Sequence, residues 1–413
     1  MSSDHVARGV CTRGPHAIIA GMEVVEALVG LLFVAAVFWD VFQSVVVPRP
    51  SAGMFRIARN LVRVSWRLTR VVALRASSPS RREGILGVFA PAMVVGLLFV
   101  WVLILLLGFG LLVHALRGQL SPQPASLSEA IYAAGTALLT IGFGDFVPTG
   151  TGARIVSLVA AGTGLGIVAL VITYLFSLYG AFQRREVQVV TLDSRAGAPP
   201  SGVALLETYA RLGLVDELPM LFASWELWAA EVLDSHVAYP ILGFFRSSHD
   251  NESWVGSIGA VLDAATLIVT TVEGVPRGHA ELMSAMAEHL VEDVGNSFGF
   301  RNEPGAGIAR LEFDEARQRL AAAGYALTEA DRAWRSFGAR RSHYAARLNL
   351  LAELWVSPPS QWIGDRAPLG HHDEGEMELD AFAQAPSQPG LAAPGATTVA
   401  EHIGSPIDAG DRN

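Results

Sequence analysis

Three long apolar segments occupy the first half of the chain, at residues 24–47, 85–116 and 155–182. Each could span a bilayer, because a helix needs about 20 apolar residues to cross a hydrocarbon core about 30 Å thick. A buried core helix could explain one such segment but hardly three, so we expect three transmembrane helices. The first segment, which we assign to residues 22–48, is too long for the apolar region of a signal peptide and lacks a cleavage site. It also contains Glu26 and Asp40.

The arginines predict the orientation of the spans. All 30 basic residues are arginine, and nine of them lie between the first and second segments. Only Arg117 lies clear of the helix ends between the second and third segments, whereas Arg184 and Arg185 follow the third. Cytoplasmic loops carry the excess of basic residues. We therefore expect a plasma-membrane protein with residues 1–21 outside and the C-terminal half in the cytoplasm, and either Met1 or Met22 as the start.

Residues 49–84 contain arginines at spacings of three and four, which place them along one face of a helix. Apolar residues between them include Leu61, Val64, Trp66, Leu68 and Val71. This pattern predicts an amphipathic helix in the inner headgroup layer, where each arginine near anionic lipid adds roughly 1 kcal/mol. A voltage-sensing helix has a similar repeat but needs acidic partner helices, and only one transmembrane helix precedes this one. The arginines expected to bind membrane lipids are Arg56, Arg59, Arg63, Arg67 and Arg70.

A short helix and a glycine-containing loop are predicted between the second and third spans. Ser126 or Ser128 can cap a helix over residues 127–139, which is too short to span a membrane. This helix must therefore enter the membrane from outside and return. Non-helical backbone is tolerated at that depth only where protein or a water-filled path surrounds it.

The loop after this helix is the segment Thr140–Asp145, TIGFGD, and its pattern predicts a cation path. Gly142 and Gly144 permit unusual backbone angles, so that successive carbonyls can face one axis. A ring of carbonyls can replace the water shell of a cation, with the Thr140 hydroxyl as a further oxygen ligand. The side chains of Ile141 and Phe143 would then point away from the axis. The negative C-terminal end of the short helix also favours a cation.

This region resembles the pore of bacterial potassium channels of the two-transmembrane pore-domain type, whose filter reads T-V/I-G-Y/F-G-D. The resemblance covers residues 85–182 and implies four parts. These are an outer helix (85–116), a pore helix (127–139), a filter (140–145) and an inner helix (154–182). The implied filter residues are Thr140, Ile141, Gly142, Phe143, Gly144 and Asp145, with potassium bound at the first four.

The resemblance also implies supporting residues. Tyr132 matches the pore-helix aromatic that braces the filter aspartate, and Thr136 on the same helix is predicted to support the filter. Gly164 has the spacing of the hinge glycine of the inner helix. Close helix packing is the alternative role for this glycine and for its neighbours Gly162 and Gly166.

The single copy of the filter motif predicts the oligomeric state. Potassium needs roughly eight oxygens, which two stacked layers of four carbonyls can supply. One chain contributes one oxygen to each layer. We therefore expect a homotetramer, in which each chain has three identical partner subunits.

The C-terminal half is expected to be helical and cytoplasmic. Residues 183–200 look like a linker, residues 201–356 like a helical domain with caps such as Asp314 and Glu329, and residues 357–413 like a disordered tail. Residues 255–275 favour a buried helix over a fourth span. Residues 235–254 are interpreted as a polar helix-turn that holds the domain together, with a ligand or subunit contact as the alternative.

Composition excludes several classes of protein. The only cysteine, Cys11, rules out a disulfide framework, and the net charge of −9 is spread along the chain, unlike a nucleic-acid-binding surface. The apolar fraction of 51% and mean hydropathy of +0.38 suit a membrane protein. No enzymatic constellation or cofactor motif is present.

The predicted fold is an all-α membrane protein, with the potassium-channel pore domain between an N-terminal span and a helical cytoplasmic domain. A potassium-selective channel with potassium as its permeant ion is the predicted function, and a non-conducting membrane sensor or scaffold is the alternative.

Overall fold

The protein is mostly helical in the computed structural model, which describes residues 15–47, 57–249, 251–300, 308–358, 360 and 362–363. The strands β1 (Leu120–Ser121) and β2 (Val147–Pro148) form a short antiparallel pair. Short helical turns lie at Phe42–Val46, Arg117–Gln119, Val215–Glu217 and Pro240–Phe244. The α-helices are α1 (Pro15–Val41), α2 (Ile57–Leu74), α3 (Pro79–Ala115), α4 (Leu127–Leu138), α5 (Thr151–Ala196), α6 (Gly202–Arg211), α7 (Leu218–Ala238), α8 (Trp254–Thr270), α9 (Gly278–Ser297), α10 (Arg310–Ala322), α11 (Ala330–Arg341) and α12 (Ala345–Leu354).

Within the described residues, three helical segments are long and apolar enough to cross a membrane: Gly21–Val45, Pro79–Ala115 and Thr151–Ala196. They correspond to the three predicted spans, although α3 begins earlier than expected. Its start follows from local chemistry: the Ser78 hydroxyl accepts a hydrogen bond from the Arg81 amide (3.3 Å), and Pro79 occupies the first turn. The predicted helical fold with three candidate spans is confirmed at this level.

The predicted linker at residues 183–200 is different in the structure, because α5 continues as one helix to Ala196. Val189, Leu192 and Ala196 repeat at helical spacing and are buried against the C-terminal domain. Burial of this stripe stabilises the continued helix. The helix ends at Gly197, whose φ of +79° favours glycine.

Within the described residues, the structure has two hydrophobic cores. One lies between α1, α3, α4 and α5, and includes Val37, Trp101, Phe109 and Leu138. The other fills the C-terminal domain but also takes in Trp66 of α2, Phe89 of α3 and Leu178 of α5. The domain therefore shares its core with the ends of α3 and α5 and is not joined to them by a flexible connection.

The N-terminal helix α1 is packed closely on α3. A Cβ placed on Gly30 would lie 2.6 Å from the Gly108 carbonyl oxygen, so the two backbones can approach only because both residues are glycine. Near one end of this contact, Glu26 contacts His114 at 2.8 Å and Glu23 pairs with Arg117 at 2.9 Å.

Asp40 anchors the other end of α1. Its carboxylate accepts a hydrogen bond from the Trp101 indole Nε1 (2.8 Å) and one from the Ala58 amide in the first turn of α2 (3.1 Å). The side chain is buried, and these donors satisfy an acid that would otherwise be costly in an apolar environment. Asp40 thus joins α1, α2 and α3.

The arginine-bearing helix α2 has three different faces. Trp66 is buried against Phe89 and Phe244 and donates from Nε1 to the Leu354 carbonyl oxygen (3.2 Å), so it does not contribute to an exposed apolar face as expected. The exposed apolar face consists of Val64, Leu68, Val71 and Val72. A third face carries the arginines, of which Arg70 pairs with Glu353 at 3.8 Å. The predicted lipid-binding Arg56 lies outside the described residues.

Helix α8 is surrounded by the C-terminal domain. It is 17 residues long and buried on every side, as expected for a buried helix and not for a fourth span. Asp263 accepts hydrogen bonds from the Tyr344 hydroxyl (2.8 Å) and the Ile363 amide (2.8 Å).

The domain extends beyond residue 356, where the predicted tail begins. Trp362 and Ile363 are buried, and the Trp362 indole donates to the Gly256 carbonyl oxygen (3.1 Å). Glu329 caps α11 as expected, whereas Asp314 lies inside α10 and pairs with Arg310. Most of the predicted tail, residues 364–413, lies outside the described residues.

Candidate functional site

Helix α4 forms the base of the site. Its N-terminus has reciprocal capping: the Glu129 amide donates to the Ser126 hydroxyl (3.3 Å), and the Glu129 carboxylate accepts from the Ala125 amide (2.7 Å). On its buried side α4 contacts α3 closely, since a Cβ on Gly110 would lie 2.5 Å from Ile131 Cγ1. With 12 residues α4 cannot span a membrane, so it ends within the protein between α3 and α5.

The TIGFGD segment follows directly and has alternating backbone angles. The φ values of Thr140, Gly142 and Gly144 are +56°, +62° and +81°, and they alternate with Ile141 and Phe143, which are not in the positive region. This alternation can turn successive carbonyl oxygens to the same side of the chain. Thr140 is β-branched, so its positive φ is strained, and such strain is typical of functional sites.

The end of α4 holds the strained backbone in place. The amides of Ile141 and Gly142 both donate to the Thr136 carbonyl oxygen, at 2.8 and 3.1 Å, and the Thr140 amide donates to Ala137 (3.0 Å). The Thr136 hydroxyl donates to the Ala133 carbonyl oxygen (2.9 Å) and does not reach the loop. Thr136 therefore contacts the segment through its backbone carbonyl.

Asp145 and Tyr132 meet at the far end of the segment. The Tyr132 hydroxyl lies close enough to the Asp145 carboxylate for the two groups to interact electrostatically, and the Tyr132 ring packs edge-on against Phe146 at 6.2 Å. The structure thus brings Tyr132 and Asp145 together.

Gln119 also holds this region, although it was not recognised in the sequence. Its backbone carbonyl accepts from the Thr149 amide (2.8 Å), and its side-chain Oε1 accepts from the Ala153 amide in the first turn of α5 (3.1 Å). A Cβ on Gly150 would lie 2.5 Å from this Oε1, which explains the glycine. A lone glutamine at the end of a short helical turn has no recognisable sequence signal.

Gly164 lies where α5 crosses the last turn of α4. A Cβ at this position would overlap the Leu138 carbonyl oxygen, whereas nothing in the described residues lies within 4 Å of a Cβ on Gly162 or Gly166. Close packing therefore explains the glycine at 164. The predicted hinge role of Gly164 stays a prediction.

Arg185 connects α5 to the C-terminal domain and was expected only as a charge after the third span. It is buried and donates from Nη1 to the Leu242 carbonyl oxygen and from Nη2 to that of Phe245, both at 2.8 Å. Its Nη1 also lies 3.3 Å from His236 Nε2. Burial, together with the charge of Arg185, lowers the pKa of His236 to about 3, so this ring is neutral at neutral pH.

The remaining residues of the segment 235–254 mostly have structural contacts. The ring of Tyr239 packs on Tyr174 of α5 at 5.5 Å, and Trp254 packs on His236 at 4.9 Å. Asp250 lies outside the described residues. The polar helix-turn interpretation accounts for these contacts. Among the residues that the structure describes, no group of three or more His, Cys, Asp or Glu side chains is arranged to hold a metal ion.

Residues 93–180 match the family model described as "Ion channel". This part of the chain is an ion channel domain. The match runs from α3 to α5 and contains α4 and the TIGFGD segment.

A relative among curated proteins is the uncharacterized membrane protein YdjJ of Bacillus subtilis (strain 168), which is 26% identical over 188 residues. The alignment covers 45% of this chain and 54% of the relative, so the chain spans about half the length of the curated relative that it matches. No solved structure gives a significant match. The protein is thus a multi-pass membrane protein with an ion channel domain.

Proposed function

We propose that the protein is a potassium-selective channel in which the TIGFGD segment is the selectivity filter. The observation that carries this proposal is the alternation of positive φ at Thr140, Gly142 and Gly144 at the C-terminal end of α4. Carbonyl oxygens of residues 140–143, with the Thr140 hydroxyl, would bind dehydrated potassium. The C-terminal end of α4 adds a negative potential beside this path.

The proposed working unit is a homotetramer. In a single chain the residues Ile141 and Phe143 are 50% and 68% exposed, and Leu139 is also exposed. The backbone that carries these side chains is irregular, and irregular backbone at membrane depth is tolerated only where protein surrounds it or where it lines a water-filled cavity. Three further copies around a fourfold axis would cover them and complete each four-oxygen layer.

The topology proposed from the arginines puts residues 1–21 outside and the C-terminal domain in the cytoplasm. On this topology Asp145 and Tyr132 lie at the outer mouth of the path. The shared core of the domain, α3 and α5 gives the domain direct contact with two helices of the pore. We propose that the domain regulates the channel or assists its assembly.

Ion flux from liposomes tests the channel function. Purified protein in potassium-loaded liposomes should release potassium when a protonophore lets protons enter to balance the charge, and should pass sodium far more slowly. Chemical crosslinking of the same preparation should give a largest product that contains four subunits. A crosslinked tetramer that passes neither ion would contradict the channel and favour the non-conducting sensor or scaffold. Equal flux of both ions would contradict selectivity.

We also propose that α2 contacts anionic lipid through its exposed apolar face. Leu68 is 65% exposed in the middle of this face. In the sequence, α2 lies between two helical segments that are candidate membrane spans. An interfacial helix buries its apolar side about 5–10 Å into the headgroup and acyl boundary.

Fluorescence quenching by brominated lipid measures this contact. A fluorescent label on L68C, in a chain whose only cysteine is replaced by C11S, should be quenched strongly by brominated anionic lipid. The control is a label on L311C, since Leu311 is 81% exposed but lies on α10 of the C-terminal domain. Equal quenching of both labels, or of neither, would contradict the lipid contact of α2.

A further inference from the structure

A short segment of the C-terminal domain lies between α5 and α3. We call residues 240–246 the connector; it comprises the helical turn Pro240–Phe244 and the two residues after it. Arg185 of α5 holds the connector on one side through the carbonyl oxygens of Leu242 and Phe245. The Trp228 indole in turn donates to the Arg185 carbonyl oxygen (3.0 Å). The connector is therefore tied to α5.

On the other side, Arg246 leaves the connector and reaches the start of α3. Its Nε donates to Glu83 Oε2 at 3.0 Å, and its Nη2 contacts the same carboxylate oxygen. Its Nη1 donates to the carbonyl oxygens of Trp355 (2.8 Å) and Val356 (3.0 Å), just after α12. One guanidinium thus links the connector, the end of α12 and the first turns of α3.

The two arginine contacts differ in how easily they can break. The Arg185 side chain is 1% exposed, so separating it from the Leu242 and Phe245 carbonyls would leave a buried charge without two of its hydrogen bonds. The Arg246 and Glu83 side chains are 13% and 27% exposed, so water can replace the contact when the pair separates. We therefore expect the connector to stay bound to α5 when the domain moves, and its contact with α3 to break and form again.

An apolar contact accompanies this ion pair. Phe244 packs against Phe89 of α3 at 5.5 Å and against Trp66 of α2 at 4.9 Å. Ring packing keeps the connector near α3, but hydrophobic association is non-directional and fixes no register. The charged hydrogen bonds between Arg246 and Glu83 supply the directional part of the contact.

We propose that the Arg246–Glu83 pair couples the C-terminal domain to the pore, being formed in one gating state and broken in the other. This inference rests on the proposed channel function. A rearrangement of the domain that moves the end of α12 also moves Arg246, because the same guanidinium binds both. Such a rearrangement weakens or strengthens the ion pair between the connector and α3, while Arg185 keeps the connector bound to α5. The pair then contributes a coupling free energy between domain and pore.

Single-channel recording of the full-length protein tests this coupling. E83Q, R246Q and the double variant are compared with wild type for their ratio of open to closed time. Each single variant should change the ratio in the same direction by at least about fivefold, the lower end of typical allosteric coupling. The double variant should change it no further than a single variant does, because the two residues act as a pair. The potassium-to-sodium selectivity should stay unchanged.

A second arginine–glutamate pair in the same domain is the matched control. Arg319 of α10 donates to Glu207 of α6 at 2.7 and 2.6 Å, with side chains 36% and 31% exposed, and neither residue contacts α3 or α5 through this pair. E207Q and R319Q should leave the open-to-closed ratio unchanged. If R246Q fails to assemble, E83Q and E83D carry the comparison, since they leave the contacts of Arg246 with Trp355 and Val356 in place.

The outcomes separate this proposal from the channel function. An E83Q channel with normal selectivity and an unchanged ratio overturns the coupling role and leaves the channel function standing. Equal changes in the Glu207 and Glu83 variants also overturn it, because they indicate a general effect of domain stability. A wild-type tetramer that does not conduct overturns the channel function and, with it, this proposal.

Discussion

Replacing Gly144 with alanine is expected to abolish potassium flux while leaving the proposed tetramer assembled. The φ of Gly144 is +81°, and no atom in the described part of the chain lies within 4 Å of a Cβ built there. Within one chain the methyl group therefore causes little overlap, and its expected effect is on the backbone. A left-handed conformation costs a non-glycine residue about 1–2 kcal/mol, and every subunit would bear this cost beside the same ion path. Relaxation of the backbone would turn carbonyl oxygens away from the axis.

Potassium flux from liposomes and crosslinking to the tetramer are measured on the same preparation of G144A. The control is G96A, because Gly96 lies within α3, has no positive φ and also has no described neighbour within 4 Å of a Cβ. G96A should conduct as wild type does. Undiminished potassium flux in an assembled G144A tetramer would indicate that ions follow another path.

The ion channel domain could be predicted because its signals are local. The TIGFGD segment combines glycine spacing with a capped short helix, and Ser126 caps α4 as the sequence indicates. The long apolar runs predict three helical spans from composition and length alone. The sequence thus reveals which residues lie in the candidate site and in what order.

Contacts between distant parts of the chain could not be predicted in the same way. Arg185 was read as a topology signal, but its acceptors lie more than fifty residues away, at Leu242 and Phe245. Asp40 was recognised only as an acid in an apolar run, because its donors Trp101 and Ala58 are brought near by folding. A single sequence contains no record of such pairings.

Two boundaries were predicted wrongly although a weak signal existed. Glycine, alanine and proline at residues 197–200 suggested a linker, but Val189, Leu192 and Ala196 continue the helical spacing of α5. Similarly, the proline-rich composition after residue 357 concealed Trp362, which fills the space above Gly259. In both cases, burial of apolar side chains against a distant part of the chain determines the structure, although the local composition suggests an irregular segment.

Replacing Gly164 with alanine is expected to reduce both the thermal stability of the proposed tetramer and the potassium flux. The added Cβ would overlap the carbonyl oxygen of Leu138. This oxygen belongs to the main chain of α4, so the overlap cannot be relieved by the movement of a flexible side chain. Overpacking of this kind typically costs about 1–3 kcal/mol. Either α5 moves away from α4, or the last turn of α4 shifts. That turn contains the Thr136 and Ala137 carbonyls that hold residues 140–142, so the strained segment would shift with it.

This expectation differs from that of a hinge at the same glycine. Loss of a hinge would lower the open probability, while thermal stability and selectivity stay as in wild type. Loss of packing lowers the midpoint of tetramer dissociation on heating and disturbs selectivity as well. G162A and G166A are the controls, because both glycines lie in α5 with nothing described within 4 Å of a Cβ. A G164A tetramer with wild-type thermal stability and selectivity but a lowered open probability would contradict the packing role and support the hinge.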